Sequence, residues 1–93
     1  MLLLPATLTA HEARDTLRML KQSIQGQADG VEVDASGLVQ FDSSALSVLL
    51  ECRRQAQAWG KTFTLRDAPP KLAALAKLYG VDALLMRSTG APN

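Results

Sequence analysis

The sequence is poor in the side chains that perform chemistry, with one cysteine, one histidine, one tryptophan, one tyrosine and two phenylalanines in 93 positions. A lone Cys52 can close no intrachain disulfide and cannot build a thiolate cluster for zinc, which suits a reducing compartment. Within a helix it reads as a small buried hydrophobe. His11 falls in the first turn of an amphipathic helix, off its apolar stripe, and reads as a solvated side chain rather than a general base. A glycine-rich phosphate loop, a Gly-x-Ser-x-Gly elbow and a His-Cys-carboxylate cluster are all missing. Ser43 without a histidine partner would be an unactivated nucleophile, and Asp34 at the end of a strand is a single carboxylate. These gaps exclude the common enzyme classes and assign no role to a metal or cofactor, so a binding module is expected.

Charge of one sign is lacking too. Ten Lys and Arg against nine Asp and Glu leave a formal net charge of +1, with no basic block of the kind that tracks a phosphate backbone, so nucleic acid is not an expected partner. Long apolar runs are missing as well. The opening Met1-Leu2-Leu3-Leu4 stretch stops at Pro5, too short and without the basic flank of a signal peptide or a membrane span. A cytoplasmic chain with no direct membrane insertion is expected.

What the chain does contain is enough apolar material for a core: 47% of residues are hydrophobic and 20% charged, which is ordinary for one folded domain over residues 1–93. Leu2 to Leu8 reads as an edge strand, since Pro5 has no ladder donor. Thr9 stands three residues before Glu12 at capping-box spacing, and Ala13, Leu17, Leu20 and Ile24 then recur at helical spacing to about Gln25. Val31 to Ala35 alternates and is β-branched, so it predicts a central strand. A helix is expected from about Ser44 to Trp59 and a third strand over Thr62 to Arg66. Pro70 opens a helix over Lys71 to Tyr79, Val81 to Leu85 forms a last short turn or helix, and residues 86–93 form a flexible tail. Strands separated by helices imply a small, largely parallel sheet in an α/β domain, in two or three layers, and a further strand can be accommodated near Gln40-Phe41.

The candidate site is the Asp42-Ser43-Ser44 turn and the helix it begins. At about 100° per residue, Ala45, Val48, Leu49, Cys52, Ala56 and Trp59 gather on one side as the core-facing stripe, with Trp59 packing at its end. Leu46 and Leu50 fall on a flank, near Arg53 and Gln57, while Ser47, Glu51, Arg54 and Ala58 lie towards the back. The two leucines are covered either by the chain's own fold or by a partner. Against a partner, each would contribute on the order of 1.5–3 kcal/mol before the costs of association. Asp42, Ser43 and Ser44 are residues that cap helices; a serine there also lies beside free backbone N–H groups and the positive end of the helix dipole, where a phosphate is stabilised.

The run Val31-Glu32-Val33-Asp34-Ala35-Ser36-Gly37-Leu38, followed by Phe41-Asp42-Ser43-Ser44-Ala45-Leu46 and Leu49-Leu50, resembles the core of a STAS domain, the fold shared by anti-sigma factor antagonists. The stretch Leu72-Ala73-Ala74-Leu75-Ala76-Lys77-Leu78-Tyr79-Gly80-Val81 is similar to the closing helix of a narrower group, the MlaB-like cytoplasmic subunits of the Mla phospholipid ABC transporters of Gram-negative bacteria. The resemblance implies a single-domain STAS-type α/β fold. It also implies a chain without catalysis that binds and stabilises an MlaF-like ATPase subunit, and through it the permease, at the inner membrane, in a system maintaining outer-membrane lipid asymmetry. It places the partner contact on Asp42, Ser43, Ser44, Leu46, Ser47, Leu50 and Arg54. In the antagonists the serine after the Asp, here Ser43, is phosphorylated by a partner kinase, so an antagonist regulated at Ser43 is the alternative. Antagonists usually carry glycine where this chain has Ala45 and usually begin with two strands where this sequence reads as one. A homodimer of the isolated chain, through its edge or its leucines, is compatible with either reading.

Overall fold

The computed structural model describes residues 2–27 and 30–86. The expected flexible tail over 86–93 lies outside the described residues beyond Met86. Elements follow the order β1 (Leu2–Leu3), β2 (Thr7–Leu8), α1 (Ala10–Gly26), β3 (Gly30–Asp34), β4 (Gln40–Phe41), α2 (Ser43–Ala58), β5 (Thr62–Arg66), α3 (Pro70–Leu78) and α4 (Asp82–Leu85). The α/β class and the predicted helices and strands are all present, with ends within one residue or so of the expected ones. The one exception is the first strand, which is two: Pro5 interrupts it, and β1 and β2 join different sheets.

Strands β1, β3 and β5 form a parallel sheet in the order β1-β3-β5, while β2 and β4 pair in parallel as a separate two-stranded ladder. The strand expected near Gln40-Phe41 is therefore there, with Leu8 opposite Phe41, but it extends β2 rather than the main sheet. Alternation sets the faces. Val31, Val33 and Phe63 are fully buried with Leu2 and Leu4, whereas Glu32, Asp34, Thr62 and Arg66 are half-buried or exposed and Glu32 accepts a 2.9 Å hydrogen bond from Arg66. One face of the sheet thus carries the core and the other is mostly polar, with Leu3 exposed on it opposite Asp34, giving two layers.

The core joins Leu20 and Ile24 of α1, Ala45, Leu46, Val48, Leu49, Cys52 and Ala56 of α2, Leu72 and Ala76 of α3, and Leu85 of α4 to the buried strand residues. At the start of α1 the Glu12 carboxylate accepts from the Thr9 N–H at 2.8 Å and the Thr9 hydroxyl at 2.7 Å, which realises the capping spacing. At its end a side chain from elsewhere takes over. The Lys61 ammonium donates to the Ile24 carbonyl at 2.7 Å and the Gln25 carbonyl at 3.3 Å, so a largely buried cation completes the negative end of the helix.

Two residues depart from the helical arithmetic of α2. Trp59, expected at the end of the core stripe, is 55% exposed. The helix ends at Ala58, Trp59 is its C-cap, and Gly60 at φ +70° turns the chain into β5, so the ring leaves the stripe and lies 5.8 Å from the Lys61 ammonium. Leu46, placed on a flank, is only 3% exposed: it belongs to the core cluster, and Tyr79 and Val81 from the turn between α3 and α4 stand beside it.

Cys52 is fully buried, as the helix-thiol reading expects. Burial, followed by the Glu51 charge, pushes its thiol up to about 12. The unfolded chain releases this proton near the ordinary thiol value and the folded chain holds it, so stability falls as pH rises between those two values, by at most about 1.4 kcal/mol per pH unit. Urea denaturation from pH 8 upward is expected to show Cys52→Ala less stable than the natural chain at pH 8 and the gap narrowing with pH; a constant gap would contradict the buried thiol.

Candidate functional site

Asp42 is built into the junction of two helices. Its carboxylate accepts from the Ser44 N–H at 2.8 Å, capping α2, and from the Ala10 N–H at 3.3 Å, at the start of α1. The Ser44 N–H, the main cause, holds the Asp42 carboxyl below the usual carboxylate range. A lowered value means the stabilisation is present at neutral pH and disappears as pH falls through the folded-state value. Asp42→Ala is expected to lower Tm by several degrees at pH 7. Asp42→Asn, whose amide oxygen still accepts, should retain most of the stability at pH 7 while flattening the acid side of the Tm-pH curve; equal Tm values for all three chains at pH 7 would remove Asp42 from the capping role.

With Asp42 occupied in capping, the hydroxyls beside it have separate positions. Ser43 is exposed at the first residue of α2, and Ser44 is half-buried with its N–H taken. Ser43, Leu46, Ser47, Leu50, Tyr79 and Val81 surround a pocket of about 180 Å³ between the first turns of α2 and the turn joining α3 to α4. Leu46 forms its buried floor and Leu50 a half-buried wall. A longer, open groove of about 410 Å³ continues down α2 past Ser47, Leu50, Glu51, Arg53, Arg54 and Gln57. Ser47 and Leu50 border both, so pocket and groove adjoin along the helix and together make up the α2 channel. Arg54, exposed on the groove's rim, donates to the mostly buried Glu51 carboxylate three residues earlier.

All seven predicted contact residues therefore lie on or beside the first three turns of α2. Leu46 needs correction: it is a core residue that shapes the pocket from below, not a free side chain. Sequence reasoning did not place Tyr79 and Val81 in the site. They come from the far end of the chain, where Gly80 at φ +73° reverses the backbone after α3 and leaves Leu78 79% and Tyr79 58% exposed. The Tyr79-Gly80 pair was the available signal, since a large aromatic just before a C-terminal glycine is held at a turn. Among the described residues no group of three or more His, Cys, Asp or Glu is placed to hold a metal, and no helix is long and apolar enough to cross a membrane.

A small parallel sheet with helices over one face, and an exposed Asp-Ser-Ser turn leading into a grooved helix, define a STAS-type domain. The chain belongs to the family described as "Mlab, STAS domain", whose model matches residues 2–87. No curated protein matches it. A solved structure of an anti-sigma-factor antagonist (STAS) domain protein from Planctomyces limnophilus is similar, with a TM-score of 0.76 and 20% identity over 91% of this chain and 77% of that one. That likeness shows the shared fold.

Proposed function

We propose that this chain is a non-catalytic subunit that docks through the α2 channel on the ATPase subunit of a phospholipid ABC transporter. It thereby stabilises the assembly on the cytoplasmic side of the inner membrane and supports outer-membrane lipid asymmetry. The observation that carries the reading is the match to the MlaB-type family over residues 2–87. The geometry is compatible with it: half-buried Leu50, exposed Tyr79, and a rim of serines and arginines supply an apolar centre with a polar border, the usual anatomy of a docking surface. Tagged chain purified from its own cells is expected to bring down an ABC ATPase and its permease. A preparation that brings down neither, under conditions where the ATPase is made, would overturn the reading.

One observation favours a second reading. Ser43 is exposed at a helix start, in a fold that the Planctomyces limnophilus antagonist domain shares. Phosphate there would lie at the positive end of the α2 dipole and would also place up to about two negative charges on the lip of an apolar pocket, which is the behaviour of a release switch. Intact-mass measurement of the chain from growing and starved cells decides: stoichiometric phosphate on Ser43 supports an antagonist, and its absence in both supports the transporter subunit.

A further inference from the structure

Arg53 is the least satisfied charged group along the α2 channel. Its Nε is shut off from solvent and has no acceptor among the described residues, and its Nη1 reaches only the Gln57 side-chain oxygen at a long 3.4 Å. The neighbouring Arg54 is already neutralised by Glu51, whose side chain is mostly buried. The spare positive charge of the channel therefore belongs to Arg53. A half-buried guanidinium without its full set of acceptors costs free energy in the isolated chain, and since Nε is closed to solvent an incoming carboxylate offsets part of that cost by a charge-assisted contact with the terminal nitrogens, Nη1 and Nη2.

The same channel has an apolar end. Leu46, Leu50, Tyr79 and Val81 line the pocket one to two helical turns before Arg53. With a rise of about 1.5 Å per residue, the midpoint of Leu46 and Leu50 and Arg53 are roughly 7–8 Å apart along the helix. An extended peptide advances about 3.3 Å per residue, so two or three residues span that distance.

We infer that the channel recognises a peptide segment carrying an apolar side chain and, two or three residues away, an Asp or Glu, the first filling the Leu46-Leu50-Tyr79-Val81 pocket and the second bound by Arg53. This rests on the reading of α2 as the docking face and specifies what is read there. Apolar burial supplies the anchor, while the arginine rejects segments that would leave it unpaired. The occupant is a protein segment rather than a lipid headgroup because the apolar part is a side-chain-sized pocket with the charge at a fixed distance from it, not a surface.

The test uses the full chain as bait for a random-peptide phage library. Enriched peptides are expected to share an aliphatic or aromatic residue two or three positions from Asp or Glu. A synthetic enriched peptide should lose about tenfold or more in affinity when its acid is changed to the amide, or when the bait is Arg53→Gln, and the two losses should not add. Arg18→Gln, on α1, should change nothing. If Arg53→Gln melts early, the acid-to-amide peptide against the natural chain carries the same comparison. Enrichment without an acid, no enrichment at all, additive losses, or Arg53-dependent binding to phosphatidylglycerol vesicles instead of peptides would each overturn the inference. Co-purification separates the two claims. If the ATPase is retained by Arg53→Gln while the peptides fail, this inference falls and the subunit reading stands. If the peptides behave as expected but no ATPase is recovered, the partner is wrong and the channel's chemistry stands.

Discussion

Leu46→Asp is expected to unfold the chain, whereas Leu50→Asp, four residues on, leaves it folded and abolishes recovery of the ATPase. The difference lies in burial. Leu46 is 3% exposed beside the Tyr79-Val81 turn, so an aspartate there loses the packing of a core leucine and buries a carboxylate with no partner. Loss of packing alone costs about 2–5 kcal/mol, and the charge adds to it, which is comparable with the about 5–15 kcal/mol that holds a small domain folded. Leu50 only borders the channel and is half-buried, and a carboxylate there stays in reach of water. It would also lie three residues before Arg53, on the same flank, where it competes for the guanidinium. Circular dichroism melts and pull-downs of both variants make the comparison. A Leu46→Asp chain melting within a few degrees of the natural one would take Leu46 out of the core, and a Leu50→Asp chain that still recovers the ATPase would take the channel out of the interface.

Lys61→Met is expected to cost about 2 kcal/mol of stability, a large fraction for a chain this size. Methionine keeps most of the aliphatic stem and removes the ammonium that donates to Ile24 and Gln25 at the end of α1. Two effects oppose each other. Relieving a buried charge of its desolvation favours methionine, while losing two charge-assisted hydrogen bonds and a cation at the helix C-terminus favours lysine. The bonds decide it because α1 ends without a basic residue of its own and without a glycine-type cap: Gln27 is extended and bonds back only to Ile24. Urea unfolding with unchanged m-value and a lowered midpoint is the expected result. A midpoint equal to or above that of the natural chain would mean that desolvation dominates at this site.

The elements themselves were legible because their signals are local. Thr9 and Glu12, Pro70, Gly60 and Gly80 act on backbone within a few residues, and the alternation of Val31 and Val33 requires only one buried face. Legibility failed where a residue's environment is supplied by a distant segment. Trp59 followed helical spacing on paper, but the helix had already ended. Leu46 looked spare because the rotation of α2 says nothing about Tyr79 and Val81, which arrive more than thirty positions later. Lys61, an ordinary surface residue by type, is buried because β5 carries it under the end of α1.

The Asp42-Ser43-Ser44 turn shows the same division. Sequence alone determined that a helix begins there, that Asp42 is suited to cap it, and that Ser43 is available, since these depend on residue type and short spacing. Tertiary structure alone decided that Asp42 also meets the start of α1, that Leu46 is a floor and Leu50 a wall, and that Tyr79 and Val81 complete the pocket. Contacts between segments so far apart are selected by the packing of the whole core, and no local pattern in the chain encodes which side chain will be left uncovered when that packing is complete.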